Sequence, residues 1–66
     1  MPILNIALIA GRSNEQKEAL IKEVTDACVK ALDVKSETVR ILLQDIAAQD
    51  FGVAGESVQA KRERLA

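Results

Sequence analysis

Two arginines, Arg12 and Arg40, one proline, Pro2, and one phenylalanine, Phe51, carry most of the chemistry open to this 66-residue chain. It has no His, Tyr or Trp and a single Cys, so Ser-His and Cys-His pairs and His-based metal sites cannot be built from one kind of chain. A general base works best with a pKa near the working pH. The α-amino group, at about 7.7–8.0 in model peptides, is the one group available that starts close to it. Pro2 follows the initiator Met1, and removal of Met1 would turn the Pro2 nitrogen into a free secondary amine. A prolyl amine is intrinsically more basic, so cations or apolar surroundings must lower its pKa by disfavouring the protonated form.

Arg12 and Arg40 are the cations that stand out by their positions in the sequence. Arg12 precedes a helix cap, where a cation meets the positive end of the helix dipole at a cost of about 0.3–1 kcal/mol. With the free helical N–H groups it can make a carboxylate or phosphate site; alternatively it is a solvated loop arginine. Arg40 interrupts the apolar run Val39-Arg40-Ile41-Leu42-Leu43, and arginine is almost never fully buried unless paired. It is either an edge-strand charge or intersubunit ion pair, or a partner for a substrate carboxylate or developing enolate oxygen. Phe51 is either a packing anchor or a pocket wall that helps keep the Pro2 amine neutral. Cys28 falls on an apolar helical stripe and reads as a small core residue.

The elements that must position these groups follow from periodicity. Residues 3–10 are apolar on both alternating faces, as in a strand covered on both sides. The chain's own helix can cover one face; the other needs a partner. Ser13 and Gln16 match a capping box, and a helix is expected from there to about Leu32, with Leu20, Val24, Ala27, Cys28, Ala31 and Leu32 along one stripe and Lys17 among the charges outside it. Glu18 to Lys22 and Asp26 to Lys30 have the spacing of helical ion pairs. After a turn at residues 33–37, residues 38–44 read as a second buried strand. The unit is a β-α-β crossover with parallel strands, right-handed by the usual rule. Residues 51–55 suggest a turn or short hairpin, with Gly52 and Gly55 as candidates for positive φ, and the charged tail 59–64 a frayed helical turn.

The expected fold class is α/β: one β-α-β unit with a short C-terminal hairpin or turn, a single domain over residues 1–66, assembled into an oligomer. A chain of about 60 residues buries only about 60% of its unfolded surface. One Cys excludes an internal disulfide and the lack of His disfavours a metal, which leaves oligomerisation as the common device. The net charge of −1 offers no footprint for nucleic acid. The apolar run 3–10 is too short to span a membrane and lacks the charged lead of a signal peptide, so the expected compartment is the cytoplasm.

Taken in order, Met1-Pro2-Ile3, Ala10-Gly11-Arg12-Ser13, Glu15-Gln16-Lys17-Glu18, Val39-Arg40 and Phe51-Gly52 resemble the 4-oxalocrotonate tautomerase family across nearly the whole chain. The resemblance implies homohexamers built as trimers of dimers, with active sites shared between subunits, and no metal or cofactor. It implies Pro2 as the general base, Arg12 as the holder of a small-molecule substrate's distal carboxylate, and Arg40 as the group that binds the carbonyl and near carboxylate and stabilises the dienolate. Phe51 matches the family's aromatic wall and Ile9 its apolar pocket residue. The activity so implied is enol–keto tautomerisation of small unsaturated 2-hydroxy/2-oxo acids, as in aromatic degradation. Two departures are Asp50 where the family often has His, and Val53-Ala54-Gly55 where it often has a Gly-Gly pair. Two alternatives use the same residues: hydration, dehalogenation or decarboxylation of small unsaturated acids, and a catalytically silent oligomer that binds anions.

Overall fold

The computed structural model describes the whole chain, Met1–Ala66. Its first element is the expected strand, β1 (Ile3–Ile9). Ser13 then caps helix α1 (Asn14–Leu32): its hydroxyl accepts from the Gln16 N–H (3.1 Å), and the Gln16 side chain accepts from the Ser13 N–H (3.0 Å). Two orphan donors at the helix start are thereby satisfied, which is why the helix begins where the sequence places it. Asp33, in the left-handed region at φ 53°, ends the helix.

The second strand, β2 (Arg40–Ile46), lies about two residues later than the sequence suggests. Thr38 is β-branched, but its hydroxyl donates to the Lys35 carbonyl (2.7 Å) and closes a 3-10 turn over Ser36–Thr38. That local bond outcompetes strand pairing. At the far end Asp45 and Ile46 remain in the ladder opposite Leu8 and Ile9, and Ile3 pairs with Arg40, all in parallel register.

Alternation divides this two-stranded sheet into two faces. Leu4, Ile6 and Leu8 with Ile41 and Leu43 form one, half-buried apart from the neighbouring Asp45, and α1 packs against β2 there. The stripe that α1 buries is wider than expected. Ile21, Thr25 and Val29 share burial with Leu20, Val24 and Cys28, whereas Ala27, Ala31 and Leu32 are exposed. Lys22 pairs with Asp26 (2.9 Å), a bond that raises the Lys22 pKa, and neither Glu18–Lys22 nor Asp26–Lys30 forms. Lys22 lies four residues from both Glu18 and Asp26, and its bond to Asp26 takes the ammonium of one expected pair and the carboxylate of the other.

After a 3-10 turn at Ala48–Asp50, strands β3 (Gly52–Val53) and β4 (Glu56–Ser57) form the short antiparallel hairpin. Its two loop residues, Ala54 (φ 56°) and Gly55 (φ 82°), both adopt positive φ, as type I′ turns require. Ala54, not Gly52, is the second residue in that region. The tail is a formed helix, α2 (Val58–Leu65), rather than a frayed turn. Ser57 caps it, the Val58 N–H donates to the Phe51 carbonyl (2.8 Å), and Arg64 grips Glu56 through two bonds of 2.9 and 3.0 Å. No helix is long and apolar enough to cross a membrane.

The opposite sheet face has nothing over it. Ile3 and Leu42 lie 59% and 51% exposed, beside Asn5, Ala7, Arg40 and Gln44. Val39 is the one buried residue of the chain. The radius of gyration is 15.3 Å, against about 11 Å for a compact domain of this length. A chain with so little interior draws its stability from association. Leu42→Asp should therefore lower the native mass measured by light scattering and the thermal midpoint, because an unpaired carboxylate in an apolar interface costs several kcal/mol. Wild-type mass and midpoint in this variant would show that the face is not an interface.

Candidate active site

Pro2 and Arg40, and Ile9 and Arg12, form two groups at opposite ends of the two-stranded sheet. At the starting end, the half-buried Pro2 precedes β1 and Arg40 opens β2. The Arg40 N–H donates to the Pro2 carbonyl at 3.0 Å. This bond extends the parallel ladder by one step and holds Pro2 against the sheet, where an untethered terminus would fray. The Arg40 side chain is exposed on the uncovered face and its guanidinium donates to the Glu37 carbonyl. In the structure the Pro2 nitrogen is a peptide nitrogen joined to Met1. The free amine exists only once that bond is cut.

At the finishing end, Ile9 closes β1 and the chain leaves through Ala10 and Gly11 to Arg12. The Ala10 N–H donates to the Ile46 carbonyl (2.8 Å), so the loop departs from a fixed point. Gly11 adopts φ 130°, a conformation that L side chains rarely take, and turns the chain toward the helix cap. Ile9, Ala10, Gly11 and Arg12 line an open cleft of about 340 Å³ together with Arg62 from α2. Sequence reading missed Arg62. It is one charge in a mixed run, Lys61-Arg62-Glu63-Arg64, and only the return of α2 toward the β1–α1 loop distinguishes it from its neighbours. The two guanidiniums, Arg12 and Arg62, make this cleft suited to an anionic group.

Phe51 is half-buried between the Ala48–Asp50 turn and β3 and lines neither cleft of the single chain. Asp50 is exposed at the end of that turn. The second cleft, about 290 Å³, runs between the hairpin and α2 and includes Val53, Val58 and Leu65. It holds none of the residues expected to act. Cys28 is half-buried on α1 with a free thiol, in keeping with a packing role.

The distance between the two groups decides what one chain can do. Six residue-to-residue steps carry the strand from Ile3 to Ile9, about 20 Å at about 3.3 Å per step. A small acid cannot reach from Pro2 to Arg12 of one chain. A site that uses both must take them from different copies.

Residues 2–61 match the model of the tautomerase enzyme family. The chain is 43% identical over 60 residues to a 2-hydroxymuconate tautomerase of Stutzerimonas stutzeri, covering 91% of this chain and 95% of that protein. It superposes on a 4-oxalocrotonate tautomerase isozyme of Methylibium petroleiphilum with a TM-score of 0.89 at 38% identity, over 91% and 97% of the two chains. A heterohexameric 4-oxalocrotonate tautomerase of Chloroflexus aurantiacus is similar at a TM-score of 0.86 and 34% identity, over 89% and 95%.

The Arg12 loop yields a direct check of its own geometry. A Cβ at Gly11 would meet no atom within 4 Å, so Gly11→Ala tests conformation alone. At φ 130° the alanine should cost about 1–3 kcal/mol, read as a lower urea midpoint at unchanged slope. An unchanged midpoint would mean that the loop accepts another path.

Proposed function

This chain belongs to the 4-oxalocrotonate tautomerase family and is an isomerase, a keto–enol tautomerase; from that we propose that it interconverts enol and keto forms of small unsaturated 2-hydroxy/2-oxo acids without a cofactor, using the Pro2 amine as general base after Met1 is removed. The observation that carries this reading is the 3.0 Å bond from the Arg40 N–H to the Pro2 carbonyl. It fixes the residue whose nitrogen must be held within reach of a carbon-bound proton, and general bases act through such placement.

The reaction is one proton moved within one molecule. The neutral Pro2 amine takes a proton from the enol hydroxyl, or from the carbon next to a conjugated carbonyl, and the prolinium returns it to another carbon of the same conjugated system. Between the two transfers the substrate carries a dienolate, and Arg40 stabilises its oxygen together with the near carboxylate. Arg12 of another copy holds the distal carboxylate. Ile9 of the copy that supplies Arg12 forms the apolar wall with Phe51, and together with the two cations they lower the Pro2 pKa toward neutrality. The assembly that joins these parts is a homohexamer, a trimer of dimers. The uncovered sheet face, with Ile3 and Leu42 exposed, supports an oligomer of this kind, and the 20 Å separation supports its sharing of sites. The proteins named 2-hydroxymuconate tautomerase make 2-hydroxymuconate the first substrate to try.

The test begins with the intact mass of the purified protein, which reports whether Met1 is gone. In Met1-free protein, Pro2→Ala and Arg40→Ala should each lower the rate of 2-hydroxymuconate ketonisation by about a hundredfold or more with native mass unchanged. Wild-type turnover in either variant would overturn that residue's role. Loss of the assembly in Arg40→Ala would instead make Arg40 a subunit contact.

A further inference from the structure

The first residue of α1 that is not exposed is a lysine. Asn14, Glu15 and Gln16 are all exposed, while Lys17 turns toward the sheet and binds Asp45 of β2 (Nζ to Oδ2, 2.6 Å). The two side chains are 26% and 41% exposed. Apolar anchoring of the helix begins only at Leu20 and Ile21. One ion pair is thus what ties the first helical turn to the strand.

Its location places the pair beside the loop that carries Arg12. Asp45 adjoins Ile46, whose carbonyl accepts from Ala10 at the start of the Arg12 loop. Lys17 lies one turn past Ser13, where that loop ends, and the Lys17 N–H donates to the Ser13 carbonyl (3.1 Å). Both ends of the four-residue segment that carries Arg12 are therefore referred to two adjacent residues of β2. The circuit runs from Ala10 to Ile46, to Asp45, to Lys17, to Ser13, and Arg12 lies inside it. Within it Gly11 is the one residue at positive φ, and the helix cap is a local bond that moves with the helix.

We infer that Lys17 and Asp45 are positioning residues for Arg12: their ion pair sets where the Arg12 guanidinium stands and so tunes the affinity for a substrate's distal carboxylate. The inference rests on the tautomerase reading above. It separates binding of the distal carboxylate from proton transfer, because neither residue belongs to the Pro2–Arg40 end of the sheet.

The deciding variant is Lys17→Met with Asp45→Asn, which removes both charges and leaves the net charge as it was. With 2-hydroxymuconate its KM should rise about two- to fivefold, the range that a partly exposed ion pair supports, at a kcat near wild type. The analogue that lacks the distal carboxylate should show no change in KM. Lys17→Arg should retain the wild-type KM. Hydrogen exchange followed by mass spectrometry supplies a readout that needs no turnover: residues 10–17 should exchange faster in the double variant while β1 and β2 do not. A wild-type KM in the double variant, or an equal rise for both substrates, overturns the positioning role. Absence of turnover in the wild-type protein overturns the tautomerase reading instead, and unchanged exchange over residues 10–17 then overturns the ion-pair circuit by itself.

Discussion

One long helix can cover only one face of a sheet. The structure follows from that constraint, because the chain builds a two-stranded sheet whose apolar residues point both ways and owns a single long helix to lay against it. Leu4, Ile6, Leu8, Ile41 and Leu43 share the helix side; Ile3 and Leu42 are left outside with Asn5, Ala7, Arg40 and Gln44. The shortfall appears as one buried residue and a radius of gyration of 15.3 Å. Burial by a second copy is the physical remedy. Such burial would also change the electrostatics of Arg40, since a guanidinium removed from water interacts more strongly with a developing oxyanion than one in solvent.

The same economy shapes the candidate site. Parallel pairing puts the beginnings of β1 and β2 side by side, and so brings Pro2 to Arg40. It equally sends the two strand ends, and the loop that bears Arg12, to the far side. A hairpin of antiparallel strands would have joined one strand's start to the other's end. The crossover thus keeps apart the groups that the proposed reaction needs together, and on the shared-site reading another copy would supply the missing one.

Most of the framework was legible in the sequence because it is written in local signals. The Ser13–Gln16 capping box, the alternation of residues 3–10 and the parallel pairing implied by a helix of about 19 residues each appear in the structure. Two of the misses share a cause, a side-chain bond that overrides local preference, and the third sits in a two-residue hairpin turn. Thr38 looks like strand but closes a turn; Ala54 takes a conformation for which glycine would be the expected choice; the tail forms a helix because Glu56 and Arg64 grip across it. Of the site, Pro2, Arg12 and Arg40 stood out as chemical anomalies. Arg62 and the Lys17–Asp45 pair did not, since ordinary surface charges acquire meaning only when a fold brings together residues such as 17 and 45.

The separation of Pro2 from Arg12 along β1 has a genetic corollary. On the shared-site reading each polypeptide contributes its amine to one pocket and its carboxylate anchor to another. A copy damaged at Pro2 and a copy damaged at Arg12, expressed together, would then still assemble some pockets with both groups intact. Two inactive alleles would complement each other, because each damaged copy silences only the one pocket to which it gives the damaged group. Descendants of a duplicated gene could accordingly each lose a different half and become obligate partners.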